Sequence, residues 1–179
     1  YMKNIFFTLE PPQGSYGGGA FFVKNFSKFL TQRGFNVVYD LKPGIDLIII
    51  IDPRVDSYNK YGIMDIKRYK RDNPLVKIIH RVNECDIKRP VSIGIEKLII
   101  ETMCIADVVV FVSSWLRNYY LKRYRLNNIN SIPILNGVDK TIFKPSDTKE
   151  LTSPLRIVTH HWSSNYYKGF HIYNKLDKF

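Results

Sequence analysis

The sequence predicts a doubly wound α/β domain, in which helices cover both faces of a parallel sheet. Short apolar runs alternate with segments of helical periodicity along most of the 179 residues. The run Leu47 to Ile51 is apolar except at its flanks, which is typical of strands buried on both faces in parallel sheets. Because 45% of the residues are apolar and 24% are charged, the chain can bury a core of this kind.

The first strand, the first helix and the second strand are complete by Asp40. Residues 3–9 form the first predicted strand, and a glycine-rich loop follows it. The next segment has apolar residues at positions i, i+4, i+7 and i+8 of one helix face, namely Phe22, Phe26, Phe29 and Leu30. Arg33 and Gly34 are typical of a helix C-terminus, and residues 36–39 form the second strand.

The same alternation continues to residue 135. Apolar runs predict further strands at residues 47–51, 76–82, 108–112 and 132–135. Between them, helical periodicity predicts helices at residues 63–71, 93–105 and 115–124. Right-handed crossovers place such helices on both faces of the sheet, and ligands bind beyond the carboxyl ends of the strands.

A domain boundary is predicted toward the end of the chain. The periodicity lapses after residue 137, and residues 146–154 are polar and end in proline, as linkers do. We therefore expect one domain at residues 2–150 and an incomplete second domain at residues 151–179. In the second domain, residues 156–160 predict a strand, and a glycine-containing turn and a helix follow it.

The charge balance favours an anionic partner. Lys and Arg number 27 against 16 Asp and Glu, which gives a formal charge of +11. A cationic surface attracts nucleic acid, anionic lipid and phosphorylated ligands alike. Basic residues beside Trp115 leave peripheral contact with an anionic membrane open. The apolar i,i+4 pairs of that helix are more typical of a core helix than of a nucleic-acid reader, so no nucleic acid partner is expected.

Cysteine usage and hydropathy favour a cytoplasmic location. The two cysteines, Cys85 and Cys104, lie in no CxxC or Cys/His spacing, so we expect free thiols in a reducing compartment. No apolar run approaches the roughly 20 residues of a membrane helix. The N-terminal segment also lacks the apolar region of a signal peptide.

The loop Gly17-Gly18-Gly19 is the first candidate site. Successive glycines allow close approach to the backbone, and a helix N-terminus offers unpaired N–H groups and partial positive charge to a phosphate. Alternatively, the glycines only make a tight turn. A dinucleotide fingerprint would need a third glycine where Phe22 stands, which counts against a nicotinamide enzyme.

The end of the fourth predicted strand is the second candidate site. Asn83, Glu84 and Asp86 follow a strand that the pattern predicts to be buried. Polar groups at that place are useful mainly for ligand contact, so we interpret the three as catalytic candidates. The alternative is a solvated loop whose charges pair with one another.

The restart of the pattern near residue 160 is the third candidate site. His160 and His161 are adjacent in an extended segment and point to opposite faces, and no third ligand has useful spacing, so we expect no metal. His161, Ser163 and Lys168 ahead of a helix suit a pyrophosphate, with Lys168 as a point charge.

The order of these segments resembles the GT-B glycosyltransferases, specifically the retaining group called group one or family four. The resemblance spans nearly the whole chain. Its motifs are Gly17-Gly18-Gly19, Ala106-Asp107 with Val112-Ser113, Asn136-Gly137-Val138-Asp139 with Phe143 and Pro145, and Lys168-Gly169. The Gly-Arg pair that the family carries after the first donor-domain strand is absent, and His160 to Ser163 stands in its place.

The resemblance implies two facing Rossmann-like domains, the first for the acceptor and the second for a sugar nucleotide. Lys168 and Gly169 match the family's pyrophosphate contact, and His161 or Ser163 would replace the missing arginine. The implied reaction is transfer of a sugar to a hydroxyl of a glycan, lipid or protein acceptor. It requires no cofactor besides the sugar-nucleotide substrate, and this chain alone is expected to be inactive. The alternative is a non-catalytic nucleotide- or polyanion-binding module.

Overall fold

The computed structural model divides the chain into two compact units, Tyr1–Ile134 and Leu135–Phe179. It describes residues 2–14, 17–56, 59–88, 94–145, 158 and 166–178. The first unit contains the whole sheet and four of the five described α-helices. The second unit contains, in its described part, a short 3-10 turn at Tyr166–Lys168 and the helix α5 at Phe170–Leu176.

The first unit is an α/β structure built on a six-stranded sheet, and each strand pairing is parallel. Its strands are β1 (Asn4–Phe7), β2 (Asn36–Val38), β3 (Leu47–Ile50), β4 (Lys77–Val82), β5 (Val108–Phe111) and β6 (Ser131–Pro133). Its helices are α1 (Gly18–Gln32), α2 (Ile63–Asp72), α3 (Ile95–Met103) and α4 (Ser114–Tyr124). The predicted elements up to residue 135 are therefore confirmed in type and order.

The strand order is β2-β1-β3-β4-β5-β6, so the direction of winding reverses between β1 and β3. The chain first moves from β1 to β2 and then proceeds from β3 toward β6 on the other side. A reversal of this kind opens a crevice outside the carboxyl ends of the two strands, where Rossmann-like proteins bind ligands. The doubly wound, Rossmann-like prediction is confirmed, and the loops after β1 and β3 border the crevice.

Side-chain alternation along the strands shows which helix covers which face. Phe7 and Ile49 pack in one apolar cluster with Val23 of α1. Ile48, which points the opposite way from Ile49, packs in a second cluster with Ile66 of α2. Residues of α3 and α4 form a third cluster with β4 and β5 on the α2 side. Helices therefore lie on both faces, with α1 on one and α2, α3 and α4 on the other.

Asp107 joins the end of α2 to the beginnings of β4 and β5 at the amino edge of the sheet. Its carboxylate accepts a hydrogen bond from the Ile78 N–H at 2.8 Å and lies 3.2 Å from the Lys77 ammonium and 3.6 Å from the Lys70 ammonium. Burial opposes ionisation, but these contacts lower the pKa of Asp107. The Ala106-Asp107 motif thus has a structural role in this fold.

Helix α4 begins one residue before its predicted start. The Ser113 hydroxyl accepts a hydrogen bond from the Leu116 N–H at 3.1 Å, which is the usual serine N-cap. The helix buries Leu116 and Tyr120 in the core, whereas Trp115 is exposed. Burying these two side chains fixes α4 on the sheet.

The remaining predictions for the second unit fall largely on residues outside the described ranges. The predicted strand at residues 156–160 is described only at Val158, so it remains a prediction, as does a boundary at residue 150. The helix predicted near the end of the sequence is present as α5. None of the described helices combines the length and apolarity that crossing a membrane requires.

Candidate functional site

The carboxyl edge of the sheet brings the two candidate sites of the first unit together. Gly17 to Gly19 follow β1, and Asn83 to Asp86 follow β4. Because all the strands are parallel, both loops lie at the same edge, as the sequence predicts. Whether these residues bind or catalyse remains a prediction.

Gly17, Gly18 and Gly19, which we call the glycine patch, open α1 without needing the conformational freedom of glycine. Gly17 has a φ of −59°, and positive φ values in the loop are confined to Gly14, at 108°, among its described residues. A Cβ on Gly17 or Gly18 would meet nothing within 4 Å, and one on Gly19 would lie 3.7 Å from Ile51. The tight-turn alternative therefore explains Gly14 but not the glycine patch.

The first turn of α1 is open to an anion. It has no side-chain cap at Gly17 and no acidic residue. The first N–H groups of a helix have no partner within it, and they carry partial positive charge. One turn further, the Arg81 guanidinium lies 4.1 Å from the centre of the Phe22 ring. Burial lowers the pKa of Arg81, but an arginine remains charged in proteins.

A second group of side chains surrounds the carboxyl ends of β3 and β4. We call it the edge cluster, and its members are Asp52, Arg54, Asp56, Asn59, His80 and Glu84. The Arg54 Nε donates to Asp52 Oδ1 at 2.8 Å, and a second guanidinium nitrogen pairs with Asp52 Oδ2. This hydrogen bonding raises the pKa of Arg54 against the effect of burial, and the charges of Glu84 and Asp56 raise it further. Three carboxylates thus act on one guanidinium.

His80 is the most deeply buried titratable side chain of the edge cluster, with 1% of its surface exposed. Burial lowers the pKa of His80 to about 3, although the Asp52 charge raises it. His80 is therefore neutral at physiological pH. Its Nδ1 has no hydrogen-bond partner among the described residues.

Asn59 is equally buried, with 1% exposed. Its backbone N–H and its Nδ2 donate to Asp56 Oδ1 at 2.9 and 3.0 Å. Its Oδ1, like His80 Nδ1, has no partner in the part of the chain that the structure describes. Buried polar atoms nearly always have a partner, so each of these two atoms calls for a water or a ligand group.

The three predicted catalytic residues have different surroundings. Asn83 is exposed, and Glu84 is half-buried beside Arg54. The Glu84 carbonyl accepts a hydrogen bond from the Tyr120 hydroxyl at 2.9 Å. Asp86 begins a 3-10 turn at Asp86–Lys88, and its N–H donates to Glu96 Oε1 at 2.9 Å. Glu84 therefore belongs to the edge cluster, whereas Asp86 contacts the beginning of α3.

Glu96 is a buried carboxylate, 5% exposed, which the sequence analysis did not single out. It accepts hydrogen bonds from the Tyr119 hydroxyl at 2.8 Å and from the Tyr124 hydroxyl, and Arg123 Nε lies 3.8 Å away. Burial and the Glu96 hydrogen bond raise the pKa of Tyr119. These contacts tie α3, α4 and the loop after β4 together.

In the second unit, Lys168 is exposed at the end of the 3-10 turn. Gly169 has a φ of 96°, and a Cβ there would lie 3.2 Å from the Tyr173 ring. The backbone of the turn thus requires this glycine without any ligand. His161 and Ser163 lie outside the described residues. A pyrophosphate contact of Lys168 remains a prediction.

The structure is a Rossmann-like α/β fold in which the glycine patch follows β1 and the edge cluster lies at the carboxyl ends of β3 and β4. No protein-family model matches the chain, no curated protein is recognisably similar to it, and no solved structure matches it. Among the described residues, no group of three or more His, Cys, Asp and Glu side chains could hold a metal ion.

Proposed function

We propose that this chain is the acceptor-side part of a glycosyltransferase, which moves a sugar from a sugar nucleotide to an acceptor hydroxyl. The observation that carries the proposal is the pairing at one sheet edge of an uncapped glycine patch with a carboxylate-rich cluster. The first suits phosphate and the second suits hydroxyl groups. The motif order described above supports the same class of enzyme.

In this proposal, the glycine patch acts on the departing diphosphate, and the edge cluster acts on the attacking hydroxyl. The N–H groups of the glycine patch and the Arg81 charge stabilise the negative charge that grows on the departing diphosphate. Glu84 accepts a hydrogen bond from the attacking hydroxyl and orients it. Asn83 is exposed beside Glu84 and contacts the acceptor, while Asp86 holds the loop against α3.

The test uses the natural protein that contains this chain, expressed with any residues that follow Phe179 in its gene. We expect release of nucleoside diphosphate from at least one sugar nucleotide of a panel, and faster release with a saccharide acceptor. Glu84→Gln should lower turnover about ten- to a hundredfold with the fold intact, because the neutral amide accepts a weaker hydrogen bond from the attacking hydroxyl than the carboxylate does. Asp72→Asn, at the far end of α2, is the matched control. Absence of turnover with every sugar nucleotide would contradict the proposal.

Lys168 provides a second test in the same natural protein. If its ammonium meets the diphosphate, Lys168→Ala should lower turnover about 30- to 1000-fold, since the contact strengthens in the transition state. Lys175→Ala, on the following helix, is the control. Unchanged catalytic efficiency of Lys168→Ala would remove Lys168 from the site.

The second candidate function is nucleotide or polyanion binding without catalysis. The formal charge of +11 and the open first turn of α1 favour it specifically. It predicts that nucleoside diphosphate binds with a strong salt dependence and that no sugar is released or transferred from any sugar nucleotide. The turnover assay therefore separates the two functions.

A further inference from the structure

The edge cluster has the opposite charge sign from the chain as a whole. The chain carries a formal +11, yet Asp52, Asp56 and Glu84 all act on the single guanidinium of Arg54. His80 adds no positive charge because it is neutral. The other cation near this end of β4, Arg81, points to the opposite face of the strand and packs on Phe22.

The neighbouring loops add more acid than base. The Lys60 ammonium lies 3.2 Å from the Glu10 carboxylate and 3.4 Å from the Asp40 carboxylate. These residues belong to the loops after β3, β1 and β2. Carboxylates therefore outnumber cations around the described carboxyl ends of β2, β1 and β3 as well.

Two buried polar atoms specify the ligand chemistry further. Asn59 Oδ1 can only accept a hydrogen bond, and His80 Nδ1 accepts or donates according to its tautomer. Neither has a partner within the described residues, and both residues adjoin carboxylates of the cluster, Asp56 and Asp52. A hydroxyl group both donates and accepts, so a hydroxyl can satisfy either atom. A phosphate or carboxylate oxygen only accepts, and it cannot satisfy Asn59 Oδ1.

We propose that the edge cluster selects an uncharged polyhydroxyl acceptor, a neutral saccharide, over acceptors that carry phosphate or carboxylate at the attacking end. The inference rests on the proposed function, because it assigns the acceptor class of the same site. Two like charges about 6 Å apart weaken binding about threefold at the dielectric constant of bulk water, and more strongly at the lower effective dielectric constant near a protein surface. The glycine patch, with the opposite charge preference, remains the place for a phosphate.

The experiment titrates the 179-residue chain with matched sugars and follows backbone amide shifts by NMR. The probes are glucose, galactose and mannose, each with its uronate and its 6-phosphate. Shifts of Asn59 and Glu84 report binding at the edge cluster, and shifts of Gly17 to Gly19 report binding at the glycine patch. At the edge cluster, we expect a neutral sugar to bind at least about threefold more tightly than its uronate and its phosphate.

Charge-removing variants test the cause of this preference. Glu84→Gln and Asp56→Asn keep the side-chain shape, and each should reduce the preference for the neutral sugar about threefold. Asp72→Asn removes an exposed carboxylate at the C-terminus of α2, the end of the helix that lies away from the edge cluster. It should leave the preference unchanged.

Two outcomes would overturn the inference, and they differ in what they imply for the transferase. Equal or tighter binding of a uronate or phosphate at the edge cluster would reject the neutral acceptor. It would still be compatible with a transferase whose acceptor is anionic. If no sugar shifts Asn59 or Glu84, the inference also fails, and the sugar-nucleotide turnover assay then decides separately whether the transferase proposal stands.

Discussion

Glu96 and His80 are buried to a similar depth, 5% and 1% exposed, but their surroundings differ. Two tyrosine hydroxyls, a backbone N–H and Arg123 surround Glu96. His80 Nδ1 has no partner in the described part of the chain, and the charge of Asp52 only partly offsets the effect of burial on the pKa of His80. A buried polar group with every partner supplied stabilises the fold, whereas one left without a partner points to a bound group.

The largest expected effect concerns Glu96 and tests whether it stabilises the fold. Glu96→Ala should lower the free energy of unfolding by about 3 kcal/mol, because it removes the acceptor of two half-buried tyrosine hydroxyls and of the Asp86 N–H. Urea unfolding followed by circular dichroism measures this. Glu101→Ala, on the same helix, should change the free energy of unfolding by less than about 0.5 kcal/mol. Equal effects of the two variants would show that Glu96 is not a structural centre.

The next effect tests whether His80 is held neutral. The unfolded chain takes up a proton at His80 near its ordinary value of 6.5, and the folded chain does so only near 3. The free energy of unfolding should therefore fall, from this group alone, by up to about 1.4 kcal/mol per pH unit as pH decreases below 6.5. Below pH 3 the two states bind the proton equally and the slope vanishes.

In His80→Gln, the free energy of unfolding should fall less steeply between pH 6.5 and pH 4. Urea unfolding at several pH values measures this. His171→Gln changes an exposed histidine of α5 and is the matched control. If the free energy of unfolding depends on pH in the same way in the wild type and in His80→Gln, His80 gains its proton in the folded state.

The smallest effect concerns the glycine patch. Unlike Glu96 and His80, which are buried, Gly17 and Gly18 have free space beside their Cα atoms. Gly18→Ala places a methyl group in free space at the first position of α1, and it should raise the free energy of unfolding by about 0.5 kcal/mol. The same methyl group obstructs an anion, so binding of a nucleoside diphosphate should weaken. Lys24→Ala, on the exposed face of α1, controls for changes in helix propensity. A gain in stability with unchanged binding would remove the glycine patch from the site.

The fold was predictable because most strands of the first unit lie in separate apolar runs, and helices α1, α2 and α3 each have an apolar face at helical spacing. The strand order was not predictable, because periodicity shows which face of a strand each residue lies on but does not show which strands are neighbours. The pairing of Ile50 with His80 shows why this matters. It places Asp52, two residues beyond Ile50, on the same face as His80, although 28 positions separate the pair in sequence.

The predicted site is incomplete for the same reason. Asn83, Glu84 and Asp86 were found because three polar residues directly follow a strand. His80 lies within the strand pattern, and Asp52 looks like an ordinary Asp-Pro turn, so neither stood out alone. Glu96 offered one signal, a carboxylate among the apolar residues of α3, but its tyrosine partners come from α4. Only the packing of α3 on α4 brings them together.

The missing cap of α1 has a consequence for hydrogen exchange. A side-chain cap contributes about 1 kcal/mol to a helix, and without one the first turn opens more readily than the rest. An anion seated on those N–H groups would act as the cap. Its binding and the closing of the turn would then be one linked equilibrium, so exchange protection of the amides near Gly19 would rise with ligand concentration and report the occupancy of the site directly.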